Sequence, residues 1–337
     1  MTFNSHLTEF AGLPVFEYRP TQRADDPLAT LAALRDPGAF AWLLRDSRGT
    51  ETEEASGGVE GYFGRFAAET AAGTVTTLVV GYLPETISTG HSQPVRDALV
   101  ACAPRLSGLR SLFFADLTYQ DCEVSWMNHG DLGPLLAAFP GLERFAVRGT
   151  GGLELPVDGH PALRSLTLQG GGLPADLARQ VLAGDYPALE HLELWLGVEN
   201  YGGDTSPEHL APLLNGEVHT GVRSLGLRNA QYTDRWVRAL ADAPILGRLE
   251  DLDLSMGTLT DQGARILLDT PGFRELRRLD LHRHYMSEDM EKRVLEAFTA
   301  AGVAIDVSQR EEPDDDDEEW EDDEDGWTYR YYPSVTE

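Results

Sequence analysis

A short phrase with leucine at its first, fourth and sixth positions constrains the fold more than any other feature of the chain. It recurs after 27 residues, at Leu249, Leu252 and Leu254 and again at Leu276, Leu279 and Leu281. The last two leucines of each phrase alternate onto one face, which predicts a short, half-buried strand. Between the two phrases, Thr260 is placed to cap a helix whose apolar face includes Ala264 and Leu267. A strand, a turn and a helix at this period are typical of a leucine-rich-repeat solenoid.

Weaker copies of the phrase extend the pattern over most of the chain. They begin at Val75, Leu109, Leu142, Leu163, Leu189 and Val222, and a truncated last strand contains Val303, Ile305 and Val307. Helical apolar spacing fills most of the gaps. We therefore predict an α/β fold, in which residues 75–308 form a right-handed horseshoe with a concave parallel sheet and outer helices. Residues 1–74 are predicted to form an N-terminal cap and an irregular first repeat, with a strand at residues 39–44.

The composition excludes several classes of partner and location. The formal net charge of −29 would repel phosphate backbones, and the sequence has no segregated basic face, so nucleic acid is not an expected partner. The chain lacks a stretch of roughly 18 apolar residues, so no membrane association is expected. Its first residues lack a secretory pattern, and two cysteines cannot form a disulfide framework. These features predict a cytoplasmic protein.

Residues 309–337 are predicted to be a disordered tail. The stretch 311–325 carries 13 negative charges, and such a run repels itself and contains no core. The tail ends in an aromatic group made of Trp327, Tyr329, Tyr331 and Tyr332. The acidic run could bind in cis to arginines of the solenoid, at Arg144, Arg148 and Arg228.

The residues that alternate with the buried leucines should line the concave face. The candidate partner-binding residues on this face are Arg144, Arg148, His191, Glu193, Trp195, Arg228, Asp253, Arg278, Asp280 and His282. Our hypothesis is a protein or peptide groove in which an exposed Trp195 is the anchor and the charges set the register. The alternative is that these strand faces are simply polar and their charges pair with one another. Because Phe113 and Phe114 are adjacent, one of them should face outward.

No group of residues gives a convincing catalytic or metal site. Asp280, His282 and His284 alternate in sequence and could approach a metal ion, but a polar strand end explains them better. Cys122 lies near His129 in the sequence, although without a positioned base it should be inert. We therefore predict no enzyme activity, no metal and no cofactor.

Several phrases resemble a family of bacterial cytoplasmic leucine-rich-repeat proteins with ribonuclease-inhibitor-like repeats. They are LTEFAGLPVF at the start, DCEVSW at 121–126, LEHLELWLGVENYGGD at 189–204 and LEDLDLSMGTLTDQGA at 249–264. The resemblance implies a protein that acts by binding other proteins and is encoded beside radical-SAM enzymes. It brings no catalytic residues with it.

Two functions from different classes are expected from these features. The first is a non-enzymatic scaffold that binds a protein or peptide on its concave face, with a neighbouring radical-SAM enzyme as a candidate partner. The alternative is an accessory or carrier protein of a radical-SAM maturation system, which presents its aromatic tail to a modifying enzyme.

Overall fold

The computed structural model describes residues 5–20, 26–47, 49–53, 56–83, 92–155, 158–313 and 331–336. The chain has an α/β fold in which the strands are mostly parallel. It divides into two compact units. Unit 1 comprises residues 1–169 and 183–189 with residue 337, and unit 2 comprises residues 170–182 and 190–336.

Unit 1 begins with an antiparallel hairpin, after which all pairings between its strands are parallel. Its strands are β1 (Glu9–Phe10), β2 (Leu13–Glu17), β3 (Ala41–Leu44), β4 (Thr77–Val80), β5 (Ser111–Phe114), β6 (Arg144–Arg148) and β7 (Ser165–Gln169). Its helices are α1 (Pro27–Ala33), α2 (Gly58–Glu69), α3 (Gln93–Cys102) and α4 (Gly133–Ala138). Each strand from β2 to β6 pairs with the next one in chain order.

Aromatic side chains fill the first part of the unit 1 core. The indole of Trp42 on β3 is buried, and its ring centroid lies 5.7 Å from that of Phe66 on α2. The Tyr62 hydroxyl donates a hydrogen bond to the Tyr18 carbonyl over 3.0 Å, so this polar atom is satisfied inside the core. The strand predicted at residues 39–44 is confirmed as β3.

The other side of the unit 1 strands is apolar as well, and the N-terminal hairpin covers it. We call Leu43, Val79, Phe113 and Ala146 the covered face. Leu7 and Phe10 pack on these side chains, and the Phe10 and Phe113 rings meet edge to face at 5.5 Å. Of the two adjacent phenylalanines, Phe113 belongs to this covered face and Phe114 does not, as the alternation predicts, but the hairpin leaves Phe113 only 2% exposed.

Unit 2 repeats strand and helix with greater regularity. Its strands are β8 (His191–Gly197), β9 (Ser224–Ala230), β10 (Asp251–Asp253), β11 (Arg278–Asp280) and β12 (Ala304–Asp306). Its helices are α5 (Ala175–Ala183, whose last residue is assigned to unit 1), α6 (Ala211–Leu214), α7 (Thr233–Ala241), α8 (Asp261–Asp269) and α9 (Glu288–Ala300).

The leucine phrase explains the register of unit 2. Leu225, Leu252 and Leu279 are directly paired on neighbouring parallel strands, and each is at most 1% exposed. Burial of a leucine side chain contributes roughly 1.5–3 kcal/mol, so a slip of one residue would lose several such contributions together. The predicted helix cap is confirmed, because the Thr260 hydroxyl accepts a hydrogen bond from the backbone N–H of Gln262.

Residues 331–336 pack against unit 2. The side chains of Pro333 and Val335 are buried there. The prediction of disorder from residue 309 onward is therefore wrong for this segment, which long-range hydrogen bonds to Asn229, Met256 and Tyr285 hold in place. Trp327, Tyr329 and most of the acidic run lie outside the described residues. No helix in the described ranges is long and apolar enough to cross a membrane.

Candidate functional site

Six of the predicted residues come together on the unit 2 strands, and we call them the charged face. They are Glu193, Trp195, Arg228, Asp253, Asp280 and His282. Parallel pairing brings them together, since Glu193 is opposite Gly226, which is opposite Asp253, which in turn is opposite Asp280. Three of these four successive strands thus place carboxylates at equivalent positions, and β9 has Gly226 there.

Arg228 is the centre of the charged face. Its Nη1 lies 3.3 Å from Glu193 Oε1, and its Nε lies 3.3 Å from Asp253 Oδ2. The same Nε donates to the Ser255 hydroxyl over 3.0 Å, and the guanidinium carbon lies 5.3 Å from the centroid of the Trp195 ring. These partners hold the guanidinium in one position.

The protonation of the charged face follows from this arrangement. Burial lowers the pKa of Arg228, but the carboxylates of Glu193 and Asp253 outweigh burial and raise the pKa above its ordinary value. Burial raises the pKa of Asp253, and the nearby carboxylate of Asp280 adds to this shift, while Arg228 opposes it. Arg228 is therefore the cation that opposes the effect of burial on the neighbouring Asp253 carboxylate.

Trp195 does not protrude from the molecule. The prediction of an exposed anchor is wrong, since Trp195 is 2% exposed. Its indole N–H donates to Glu193 Oε1 over 2.8 Å, and its ring lies under the Arg228 guanidinium. The side chain thus orients Glu193 and Arg228 and presents no surface of its own.

Asp280 forms a second group with His282 and Arg278. Its carboxylate accepts hydrogen bonds from the His282 ring Nδ1 over 2.7 Å and from Arg278 Nη2 over 2.9 Å. Burial alone would raise the pKa of Asp280, but the hydrogen bonds from the His282 side chain and backbone hold it at about 2. Arg278 has a side chain that is 60% exposed, so this group reaches the solvent.

His191 lies at the edge of the charged face. Its Nδ1 is 2.8 Å from the Ser224 hydroxyl, and its Nε2 is 3.8 Å from Glu193 Oε2.

Arg144 and Arg148 belong to unit 1 and differ from each other. Arg144 is exposed at the start of β6, whereas Arg148 is 2% exposed. Arg148 donates to the Leu117 carbonyl and to Gln169 Oε1, and it lies 3.5 Å from Asp116 Oδ1. Burial lowers the pKa of Arg148. The predicted solvent-facing role of Arg148 is therefore wrong, because these groups hold it inside unit 1.

The structure does not assemble the metal set considered from sequence. His284 is fully buried, its Nε2 donates to the Val307 carbonyl over 2.9 Å, and its Nδ1 accepts from the Met286 N–H over 3.1 Å. Both ring nitrogens are thus used. Among the described residues, Asp306 instead lies near Asp280 and His282, with one ligand atom from each within 4.8 Å of the others.

Cys122 and His129 do not form a nucleophile and base. The His129 ring donates to the Arg148 carbonyl over 2.7 Å and meets the Ser92 hydroxyl at 2.7 Å. Burial raises the pKa of the Cys122 thiol, which keeps it in the unreactive protonated form.

Two residues that sequence reasoning missed complete this part of unit 2: Asn229 and Met256. Asn229 and Met256 are buried and have positive φ angles of 54° and 66°; Asn229 lies near the end of β9 and Met256 lies in the turn after β10. They are 27 residues apart, so the repeat period itself could have identified an equivalent left-handed position in each repeat.

Comparison with known proteins supports the fold and gives no activity. No protein-family model and no curated protein matches the chain. The chain is similar to a Bacteroides fragilis protein whose crystal structure was determined by the Northeast Structural Genomics Consortium, with a TM-score of 0.67 and 30% identity. The match covers 72% of this chain and 68% of the other. At this identity and coverage, the chain belongs to the same family as the Bacteroides protein.

Proposed function

We propose that the chain is a cytoplasmic leucine-rich-repeat protein without enzyme activity, which binds a protein partner through the charged face. The observation that carries the proposal is the fixed position of Arg228 between two carboxylates and an indole ring. A group held in this way loses little side-chain entropy on binding. Such preorganisation is a property of protein-binding surfaces.

The repeat interpretation is supported by the register of unit 2. Equivalent leucines recur after 27 residues and pair directly on parallel strands, as Leu252 and Leu279 do. The helices α8 and α9 follow the strands β10 and β11 at matching positions. Repeats of this kind commonly bind partners on the exposed strand face.

The chemistry of the charged face favours a basic partner segment. The strands β8 to β12 contain five carboxylates, from Glu193, Asp251, Asp253, Asp280 and Asp306, and two arginines, Arg228 and Arg278. Carboxylates outnumber the arginines on these strands, so the charged face favours lysine or arginine of a partner. A neighbouring radical-SAM enzyme is the candidate that the family resemblance supplies.

The proposal is tested by quantitative affinity purification of the tagged chain from its native cells. The Asp253→Asn and Asp280→Asn double variant removes two charges from the face and keeps the side-chain size. We expect it to retain less than about a tenth of the bound partner, and raised salt to weaken capture by the unchanged chain. Arg277→Gln, an exposed change outside the face, is the control. Equal recovery with the double variant and the unchanged chain would refute the charged face as the binding surface.

The carrier alternative is tested by intact mass and fragmentation of residues 326–337 from the same cells. A covalent addition at Trp327, Tyr329, Tyr331 or Tyr332 would favour the carrier function over the scaffold function.

A further inference from the structure

The strongest unassigned feature of unit 2 is the place where residues 331–336 lie. Asn229, Met256 and Tyr285, which we call the docking groove, belong to three successive repeats. The segment crosses them in the direction opposite to the repeat order, with Tyr332 at Tyr285, Ser334 at Met256 and Val335 at Asn229.

The docking groove contacts mainly the backbone of the segment. The Val335 N–H donates to Asn229 Oδ1 over 2.9 Å, and the Asn229 amide nitrogen donates to the Val335 carbonyl. One primary amide therefore satisfies both backbone groups of a single residue. Asn229 is fully buried and left-handed, a conformation that asparagine tolerates better than most residues.

Two further bonds extend this recognition. The Ser334 N–H donates to the Met256 carbonyl over 2.8 Å, and the Tyr285 hydroxyl donates to the Tyr332 carbonyl over 2.9 Å. Met256, in the turn after β10, has a positive φ angle, as Asn229 does. The left-handed residues thus provide polar groups for an extended peptide.

The side chains of the segment add selectivity. Val335 is 6% exposed, and Pro333 is buried at a position where the peptide needs no N–H donor. The Tyr331 ring meets the Tyr285 ring at 5.0 Å, while Tyr332 remains 43% exposed. The groove therefore fits an aromatic residue, then proline, a small residue and an aliphatic residue with a free N–H.

We propose that the docking groove is a peptide-binding site, which the chain closes in cis with its own residues 331–336. The partner it fits is an extended peptide of another protein with the same aromatic, proline, small and aliphatic order. The docking groove adjoins the charged face, since Arg228 Nη2 donates to Met256 Sδ over 3.0 Å. The proposal is argued from the bonds to residues 331–336 and does not depend on the function proposed for the charged face. A covalently linked segment has an effective concentration in the millimolar range, so only a tighter or concentrated peptide displaces it.

The test uses the full chain and a fluorescein-labelled peptide of sequence Tyr-Tyr-Pro-Ser-Val-Thr. Val335→Pro removes the N–H that Asn229 binds and restricts the preceding residue, which should release the internal segment. Fluorescence anisotropy should show that this variant binds the peptide at least tenfold more tightly than the unchanged chain. Val335→Ile keeps the N–H and should behave like the unchanged chain.

A second change tests the groove itself. Tyr285→Phe in the Val335→Pro background removes the hydroxyl donor and should weaken peptide binding severalfold, whereas Tyr201→Phe elsewhere in unit 2 should not. Circular dichroism of each variant confirms that the fold is retained.

Three results would overturn the proposal. One is a folded Val335→Pro variant that binds the peptide no more tightly than the unchanged chain does, or does not bind it at all. Another is rapid hydrogen exchange at Ser334 and Val335 in the unchanged chain. The third is a concentration-dependent dimer of the unchanged chain that Val335→Pro abolishes, because it would assign the segment to a second copy.

Discussion

The strand faces of unit 1 and unit 2 occupy equivalent positions in the repeat pattern and have opposite chemistry. In unit 1 the position holds Val79, Phe113 and Ala146, and Leu7 and Phe10 pack over them. In unit 2 the corresponding position on β10 and β11 holds Asp253 and Asp280, which pair with arginines. An apolar strand face needs a cover from the same chain, whereas a paired polar face can remain in contact with solvent and with partners.

The largest loss of stability is expected from a substitution that removes packing between the hairpin and the covered face. Phe113→Ala removes a ring that is 2% exposed and packs edge to face on Phe10, so the free energy of unfolding should fall by about 3–5 kcal/mol. Thr167→Ala is the matched control, because Thr167 is the next residue along the same row and is partly exposed. Urea denaturation measures both. A loss below about 1 kcal/mol for Phe113→Ala would mean that the hairpin does not cover this face.

Removing the central cation of the charged face should have the next largest effect. Arg228→Met keeps the stem and leaves Glu193 and Asp253 without their shared partner, which should lower the free energy of unfolding by about 3 kcal/mol at neutral pH. The loss should shrink on acidification, as Asp253, whose pKa burial raises, takes up a proton. Arg277→Met breaks a surface pair with Asp251 and should change little. Equal effects of the two substitutions would contradict the central role of Arg228.

A histidine of unit 1 and a carboxylate of unit 2 should affect the free energy of unfolding over different ranges of acid pH. Burial lowers the pKa of His129 to about 4. Burial would raise the pKa of Asp280, but hydrogen bonds from the His282 side chain and backbone hold it at about 2. Since the unfolded chain takes up the His129 proton first, stability is lost as the pH falls from about 6.5 towards 4, by on the order of 3 kcal/mol. Asp280 retains its contribution until the pH falls below its unfolded pKa of about 3.9.

Nuclear magnetic resonance titration of the His129 ring measures this directly. The ring should stay neutral down to about pH 4. Replacing His129 with glutamine should flatten the dependence of unfolding free energy on pH between 4 and 6.5. Protonation of His129 near pH 6.5 would show that it is not buried in the way described.

The smallest effect is expected at His6, which anchors the segment before the hairpin. Its hydrogen bond to Asp116 raises its pKa, although partial burial opposes the shift. Its contribution is therefore complete below about pH 6.5 and is lost as the pH rises through the folded pKa. His6→Ala should lower stability by less than about 1 kcal/mol, and only on the acidic side. An equal loss of stability at pH 5 and pH 9 would mean that His6 contributes through packing and not through its charge.

The repeat pattern was sufficient to predict the local elements. Leu252 and Leu279, the Thr260 cap and β3 all follow from periodicity and capping chemistry within one or two repeats. These features depend on residues that are close in the sequence, so the local sequence pattern is sufficient to predict them.

Contacts between residues that are far apart in the sequence were not predictable in the same way. The Leu7 N–H bonds to Asp116, 109 residues away, and Val335 bonds to Asn229, 106 residues away. The burial of Trp195 likewise depends on Arg228 from the next strand. The apolar row in unit 1 was a usable signal that a cover must exist, although the row alone does not say which segment supplies it.

The central claim is that the charged face of unit 2, and not the covered face of unit 1, contacts the partner. The most direct test places a photo-crosslinking amino acid at Arg278, beside Asp280, or at Thr167, beside Ala146, and irradiates the native cells. We expect a discrete crosslinked protein from position 278 and none from position 167. A partner crosslinked from position 167, or the same yield from both positions, would contradict the account.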